Sequence, residues 1–245
     1  MRQVQYKSLA LLGMTIFLLG ALAIPRTRGV QASQASPDSY ASALPQTTTG
    51  QTGIVGNDVC LSCHGQTGIQ PITLENGDIL DLYVDPQVYG SSIHGQLGYA
   101  CEQCHVGIGN FPHPEFNAAD LRDAQLQLYQ ACQRCHSGEY TRTQDSVHAS
   151  ALNTDMREAA ICTDCHTAHA VRQLTDPATH ELLPESHLWI PQTCAQCHSA
   201  IYEKYQTSVH GAALIDEENQ DVPTCIDCHG VHDIANPTTN GFRVN

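Results

Sequence analysis

All twelve cysteines of this sequence fall into one repeated pattern. Two cysteines separated by two residues are followed at once by a histidine, and this C-x-x-C-H motif occurs six times with no cysteine left over. On a helical turn, residues i, i+3 and i+4 share one face, so the thiols and the imidazole can converge on one ligand. The pattern is typical of covalent haem c attachment, in which the thiols bind the vinyl groups and the histidine binds the iron. The predicted attachment residues are Cys60, Cys63, Cys101, Cys104, Cys132, Cys135, Cys162, Cys165, Cys194, Cys197, Cys225 and Cys228, and the predicted proximal ligands are His64, His105, His136, His166, His198 and His229.

Two other uses of paired cysteines compete with this interpretation. Disulfide scaffolds are common in exported proteins, and zinc ribbons use cysteine pairs in tandem. Neither use requires a histidine directly after every pair. Six complete motifs therefore favour six covalently bound haems c.

The second axial position of each predicted haem needs a ligand, and the chain offers histidine rather than methionine. Met1 and Met14 lie in the N-terminal segment, which leaves Met156 alone for six positions. Eight histidines lie outside the motifs, and six of them recur at related places. We predict that these six are the distal ligands: His94, His113, His148, His169, His210 and His232. His180 and His187 fall outside the repeat and are interpreted as surface residues or haem propionate partners.

A longer repeat contains two motifs per unit and occurs three times. A Ser-x-x-His or Ser-x-His element ends at His94, His148 and His210, each ahead of the second motif of its unit. Repetition at this scale predicts three stacked dihaem modules. His169 follows His166 by three residues, so both project from the same side of the backbone. We therefore expect His169 to serve a neighbouring haem, and the same applies to His232 after His229; the pairing itself stays open.

The fold predicted from these patterns is mostly α-helical with long loops and a haem-filled interior. Apolar residues are 41% of the chain and aromatic residues 6%, which is thin for a protein core of this length. Apolar periodicity predicts helices over Ala118–Cys132, capped by Asn117, and over Ala195–Tyr205. An Asn-Gly pair between the short runs 72–74 and 79–84 predicts a β-hairpin.

The N-terminal segment indicates export. Arg2 and Lys7 precede an uncharged, mostly apolar stretch over residues 8–24, as in a signal peptide cleaved after residue 32. An uncleaved membrane anchor at residues 8–24 is the alternative, and either places the body outside the cytoplasm. The predicted organisation is a signal peptide or anchor at 1–32, a flexible linker at 33–59, a hexahaem domain at 60–235 and a tail at 236–245. The net charge of −14 and the lack of basic clusters exclude nucleic acid as a partner.

From Cys60 to His232 the sequence resembles the multihaem cytochromes c of bacterial respiration. The resemblance is carried by Tyr89-Gly-Ser-Ser-Ile-His94-Gly ahead of the second motif, by Ser208-Val-His210-Gly, and by Cys225-Ile-Asp-Cys-His-Gly-Val-His232. It implies closely stacked bis-His haems that relay electrons between membrane quinol oxidation and periplasmic or extracellular acceptors, with redox proteins as partners. The chain departs from the tetrahaem anchored members by its six motifs and its long linker. It also lacks the C-x-x-C-Lys site of the pentahaem nitrite reductases.

Three functions follow as hypotheses. An electron carrier is favoured, because two imidazoles per iron leave no position for a substrate and give low reduction potentials. The second is a reductase of a small nitrogen or sulfur compound at one haem with a vacant face. The third is a subunit of an extracellular cytochrome filament, suggested by the modular repetition.

Overall fold

Short helices joined by long connections make up most of the structure, a computed structural model that describes residues 56–238. The predicted signal peptide or anchor, most of the predicted linker and the end of the predicted tail lie outside the described residues. The helices are α1 Asn57–His64, α2 Pro86–Ser91, α3 Ile93–Gln96, α4 Cys101–Cys104, α5 Leu121–Leu128, α6 Ser137–Thr143, α7 Val147–Leu152, α8 Cys162–His166, α9 Pro184–Ala195, α10 Ser199–Gln206, α11 Val209–Asp216 and α12 Cys225–His229. Because α1 begins at Asn57, the last three residues of the predicted linker are helical. Within residues 56–238 there is no helix of the length and apolar character that a membrane crossing requires.

The predicted hairpin is confirmed. Strands β1 Ile72–Thr73 and β2 Ile79–Leu80 pair antiparallel, with Ile72 opposite Leu80. The turn between them is closed by the backbone N–H of Gly77, which donates to the carbonyl of Leu74 at 2.9 Å. Leu74 itself is buried in the small apolar cluster beneath the hairpin, beside Ala118 and Ala124.

The predicted helix over Ala118–Cys132 is shorter than expected and changes type. Asp120 rather than Asn117 is the N-cap, since its carboxylate accepts the backbone N–H of Asp123 at 2.7 Å. Helix α5 therefore begins at Leu121, and Ala118 is buried ahead of it. Beyond Leu128 the chain tightens into a 3-10 helix over Tyr129–Arg134, which carries the start of the third motif.

The prediction of a single helix over Ala195–Tyr205 is wrong, because two helices meet inside this range. Helix α9 ends at Ala195 and α10 begins at Ser199, with His198 between them in a non-helical conformation (φ −105°, ψ 44°). The motif histidine thus stands at the break between the helices. Apolar periodicity runs through this break and could not reveal it.

The same pair of serine hydrogen bonds, which we call a serine joint, occurs three times along the chain. The hydroxyl groups of Ser92, Ser146 and Ser208 each accept the backbone N–H three residues later, at 3.0–3.1 Å. Each hydroxyl also donates to the carbonyl three residues earlier, at 2.6–2.7 Å. The serine therefore caps α3, α7 or α11 while it binds the end of the preceding segment. This fixes the histidine of each Ser-x-His element at the second position of its helix.

A close backbone approach accompanies the first and third joints. A Cβ atom at Gly95 or Gly211 would overlap the carbonyl oxygen of Tyr89 or Tyr205 respectively. The two tyrosine hydroxyl groups also donate to equivalent carbonyls, those of Tyr99 and Pro223, two residues before a motif. Each tyrosine thus ties its serine joint to the start of the next motif.

Few apolar side chains are buried by the polypeptide itself. Over residues 56–238 the buried apolar residues are Leu74, Ala118, Ala124, Ala159, Ile161, Ile190 and Leu214. Three of these seven are alanines, which bury little area. The protein side chains alone therefore form a core too small to support this length of ordered chain.

We expect Ser146→Ala to lower the free energy of unfolding by about 1–2 kcal/mol, because Ser146 is 3% exposed and makes both joint hydrogen bonds. Chemical denaturation of the purified protein measures this change. Ser150→Ala, on the exposed surface of the same helix, is the control and should leave stability unchanged within about 0.5 kcal/mol. Equal losses in the two variants would contradict the role assigned to the joint.

Candidate haem-binding sites

The second, fourth and sixth motifs each start a short helix at their first cysteine. Helices α4, α8 and α12 begin at Cys101, Cys162 and Cys225. The third residue of each motif accepts the backbone N–H of the residue before the motif, at 2.7–2.8 Å; these acceptors are Gln103, Asp164 and Asp227. A variable position of the motif therefore caps the helix that presents the thiols and the imidazole.

The first, third and fifth motifs instead lie at the ends of helices. Cys60 to His64 forms the end of α1, while Cys132 and Cys194 lie near the ends of the 3-10 helix and of α9. In the third and fifth motifs the histidine N–H donates to the carbonyl of the first cysteine at 2.9 Å. This hydrogen bond closes one helical turn. A helical turn is the geometry from which we predicted that the thiols and the imidazole of one motif converge on one ligand.

The structure brings the predicted distal histidines to the motif histidines in pairs. Five ring pairs have centroids 5.9–6.2 Å apart, and each pair contains one motif histidine and one histidine outside the motifs. The pairs are His64 with His113, His105 with His169, His136 with His94, His166 with His232, and His198 with His148.

These separations fit one metal ion between two imidazoles. A first-row metal ion lies about 2.0–2.1 Å from an imidazole nitrogen, which puts ring centroids on opposite sides of the ion roughly 6.3 Å apart. Direct ring stacking would bring the rings closer. The donor set of two thiols and two imidazoles per site is that of a bis-His haem c.

The sixth motif histidine shares a cavity with the remaining predicted distal ligand. His229 and His210 line one opening of about 190 Å³ together with both cysteines of the motif. Ile201, Tyr205, Pro223 and Thr224 form the rest of its wall. This cavity therefore places the last predicted distal histidine beside the sixth motif.

Hydrogen bonds at Nδ1 orient several of these imidazoles. Nδ1 of His64 lies 2.9 Å from the carbonyl of Leu82, and Nδ1 of His113 lies 2.9 Å from the carbonyl of Asn110. Nδ1 of His229 lies 3.1 Å from the carbonyl of Ala235. A carbonyl only accepts, so Nδ1 carries the proton and Nε2 keeps its lone pair for a metal.

His232 differs from the other paired histidines. Nη2 of Arg142 lies 2.8 Å from Nδ1 of His232. Arg142 is the donor of this hydrogen bond, because a guanidinium cannot accept one. This contact uses the lone pair of Nδ1 and assigns the proton to Nε2. His232 is therefore the least suited of the paired histidines to bind iron through Nε2 without releasing Arg142.

Burial lowers the pKa of several of the paired imidazoles. Desolvation, followed by the nearby partner ring, lowers the pKa of His105, His148 and His166. Neutral imidazole is the form that binds a metal ion. Placing two imidazoles at this distance thus favours the protonation state that ligation needs.

The thiols of successive motifs are neighbours in space. Within each unit the first cysteines are neighbours that perturb each other's pKa, in the pairs Cys60–Cys101, Cys132–Cys162 and Cys194–Cys225. Between units, Cys104 lies near the charges of Cys132 and Cys135, and Cys165 lies near that of Cys197. The six motifs therefore follow one another through the molecule in sequence order.

All twelve cysteines are free thiols in this structure. The neighbouring Cys132 thiol lowers the pKa of the Cys162 thiol, and the same interaction raises the pKa of Cys132. Over residues 56–238, no group of three or more His, Cys, Asp or Glu side chains converges as a site for a single metal ion.

Arg122 holds the fourth motif in place. Its guanidinium pairs with Asp164 at 3.0 Å and donates to the carbonyls of Arg157 and Ala159 at 2.7 and 2.5 Å. Asp164 in turn caps α8, so the ion pair fixes the helix that carries the motif. Sequence reasoning missed Arg122, since nothing in its local spacing connects it to a motif more than thirty residues away.

Asn57 was likewise missed, because it lay in the predicted linker. Its side-chain oxygen accepts the backbone N–H of Cys101 at 2.8 Å, and its amide donates to the carbonyl of Tyr99 at 2.9 Å. Asn57 therefore binds α1 to the start of the second motif. A single asparagine one turn before a motif gives no recognisable signal in the sequence.

The two histidines outside the repeat make none of the ring pairs described above. His180 is exposed in a turn with a positive φ of 61°, and the chain around it is closed by the bridge between Thr175 and Leu182. His187 lies in α9, and its buried Nδ1 lacks a hydrogen-bond partner among the described residues. Whether either contacts a propionate stays a prediction.

Comparison with known families finds a similarity in the central part of the chain. Residues 87–167 match the sequence model of the family described as cytochrome c7 and related cytochrome c. This stretch is a cytochrome c7-like domain. The match spans about a third of the chain and includes the second, third and fourth motifs. Neither the curated proteins nor the solved structures include a significant match to the chain.

The cytochrome c7-like domain supports a multihaem c-type cytochrome that carries covalent haem and transfers electrons. The mostly helical structure with one small antiparallel sheet agrees with that assignment and with the predicted fold class. The number of haems, their axial ligands and the division into three modules go beyond the match.

We expect Arg122→Met to lower the free energy of unfolding by about 2–3 kcal/mol, because Asp164 and two carbonyls would lose a largely buried donor. Denaturant unfolding of the haem-loaded protein measures the loss. Arg157→Met is the matched control, since its ion pair with Asp120 is half-exposed and should contribute under about 1 kcal/mol. A loss at Arg122 no larger than that at Arg157 would argue against its positioning role.

Proposed function

We propose that this protein is a hexahaem cytochrome c in which every iron is bound by two histidines and which relays electrons along the chain of haems. The single observation that carries this proposal is the pairing of motif and non-motif histidines at 5.9–6.2 Å. No other feature of the sequence would require five motif imidazoles to approach five others in this way. The proposed ligands are the six proximal and six distal histidines predicted from the sequence.

The polypeptide would do three things in this function. Each cysteine pair would hold a macrocycle by thioether bonds, each histidine pair would bind the iron, and the backbone carbonyls at Nδ1 fix the ring orientations. When bound, haem iron alternates between ferric and ferrous states and so carries one electron. The proximity of thiols in successive motifs supports a path that runs in sequence order from the first site to the sixth.

The ligand set and the charge support a low-potential carrier rather than an enzyme. Two imidazoles lack the thioether that raises the potential of cytochromes with a methionine ligand. The net charge of −14 stabilises ferric iron further and favours basic surfaces on redox partners. Occupied axial positions leave no site on iron for a small substrate.

The partners and location follow from the N-terminal segment and the resemblance. We propose that the protein is exported to the periplasm or beyond. It would accept electrons from a membrane respiratory donor, a quinol-oxidising complex being the favoured one, and deliver them to a periplasmic or extracellular acceptor. Residues 1–32 would direct export, either cleaved or retained as an anchor over residues 8–24.

The contact between Arg142 and His232 favours one alternative at one site. If His232 fails to bind iron, the haem at His166 would have a vacant face and could bind a small nitrogen or sulfur compound. Cyanide titration of the native protein separates the two functions. The carrier requires no high-spin haem and no cyanide-induced spectral change, whereas the reductase requires both at one haem.

The haem count is the first prediction of this proposal. Intact mass spectrometry of the purified protein should give a polypeptide with six haems, and metal analysis should give six irons per chain. Six motifs with twelve free thiols supply six attachment sites. A reproducible count of five or fewer in correctly matured protein would overturn the hexahaem assignment, and the same mass shows whether residues 1–32 are removed.

We expect His148→Ala to convert one of six haems from low to high spin, because His148 faces His198 across 6.2 Å. Electron paramagnetic resonance and near-infrared magnetic circular dichroism measure the spin states. The haem count should stay at six, since no cysteine is changed. His187→Ala, which removes a histidine outside the ring pairs, is the control and should leave every haem low-spin. A fully low-spin His148→Ala protein would show that this histidine is not a ligand.

A further inference from the structure

Helix α6 carries two opposite charges, and each lies beside an imidazole of a different predicted haem site. The helix spans Ser137–Thr143 and starts directly after the histidine of the third motif. In its first turn, Oε2 of Glu139 lies 4.0 Å from Nδ1 of His136. In its last turn, Nη2 of Arg142 lies 2.8 Å from Nδ1 of His232. One helix therefore brings groups of opposite charge to two sites.

These two imidazoles belong to neighbouring sites of the proposed electron path. His136 faces His94 at the third site, and His232 faces His166 at the fourth. Burial lowers the pKa of His166 and of His232, and the nearby His136 ring adds to both shifts. The third and fourth sites are therefore close in space.

The group at the outer nitrogen of an axial imidazole changes how strongly the ring donates electrons to iron. A carbonyl or carboxylate near Nδ1 raises the basicity of the ligand, which stabilises ferric iron and lowers the reduction potential. A cation at the same place withdraws electron density from the ring and has the opposite effect. At His64 and His229 the neighbouring group is a neutral carbonyl. The charges of Glu139 and Arg142 set the third and fourth sites apart from these two.

We propose that α6 moves the reduction potentials of two adjacent haems in opposite directions, with Glu139 lowering that of the third haem and Arg142 raising that of the fourth. The inference rests on the proposed function, because it needs a haem at both sites. With Nε2 of His232 on iron, the ring proton lies on Nδ1, and Arg142 gives up its hydrogen bond but not its charge. The two charges make the step from the third haem to the fourth more favourable than it would be without them.

The other charged groups around these sites offset only part of the effect. Burial is the main cause of the lowered pKa of His232 and the Arg142 charge is the next, while Glu139 and Asp233 oppose them to a smaller extent. Arg134 of the third motif donates to a backbone carbonyl of the second motif at 2.9 Å. Its charge adds to the potential of the native protein and is the same in every variant below. What α6 contributes is a pair of opposite shifts.

Exposure to solvent limits the size of both shifts. The Glu139 side chain is 48% exposed, and Arg142 is also exposed. Salt screens such charges over a Debye length of about 10 Å at 0.1 M. At low salt we expect each charge to change the one-electron equilibrium by about twofold or more, which corresponds to about 18 mV. The shifts should become smaller as salt is raised.

A redox titration of the full, haem-loaded protein, followed by NMR, measures the potential of each haem from its own methyl signals. Arg142→Gln should lower the potential of the fourth haem, and Glu139→Gln should raise that of the third, each by about 18 mV or more. Arg142→Lys keeps the charge and should stay closer to the native potential than Arg142→Gln. Arg157→Gln is the matched control, because it removes the same charge from an exposed ion pair with Asp120 and should single out no haem.

An unchanged potential at either haem would overturn the proposal, as would shifts of the same sign or shifts spread evenly over all six haems. Haem count and spin states are recorded on the same samples. Six low-spin haems with unshifted variants would reject this inference alone, whereas a missing third or fourth haem would reject the proposed function with it. A native high-spin haem that becomes low-spin in Arg142→Gln would show that Arg142 keeps His232 from iron, and would also overturn both.

Discussion

The constraint on which the rest of this structure depends is the approach of two imidazoles from different parts of the chain to about 6 Å. Four of the five ring pairs join different units, as when His94 of the first unit faces His136 of the second. His105 of the first unit in turn faces His169 of the second. Each boundary between units is thus crossed in both directions, and an isolated unit would lack half of the imidazoles at that boundary.

These imidazole pairs between units explain how a chain with few buried apolar side chains keeps one arrangement. The buried apolar residues described are few and small, so the protein relies on local devices that place its histidines and cysteines. The serine joints set the helix directions, the capping residues inside the motifs start the short helices, and Arg122 and Asn57 bind motifs to distant segments. In the proposed hexahaem protein the macrocycles would fill the space between these devices and contribute most of the buried apolar surface.

Local patterns predicted some elements well and others poorly. The hairpin around Gly77 was predictable because its turn residues dictate the conformation within four positions. The helix boundaries near Asp120 and His198 were not, because competition between capping residues and the geometry of a motif decides them. Apolar periodicity carries no information about a motif histidine that interrupts a helix.

The sequence by itself determined the chemistry: the number of motifs, the thiols and imidazoles in each, and a supply of histidines for the opposite faces. These depend on residue identity and on spacings within one helical turn, where backbone geometry leaves few choices. The tertiary structure alone decided which imidazole faces which, since the partners are up to 66 residues apart, as with His166 and His232. Such pairing depends on how loops close and how the units dock.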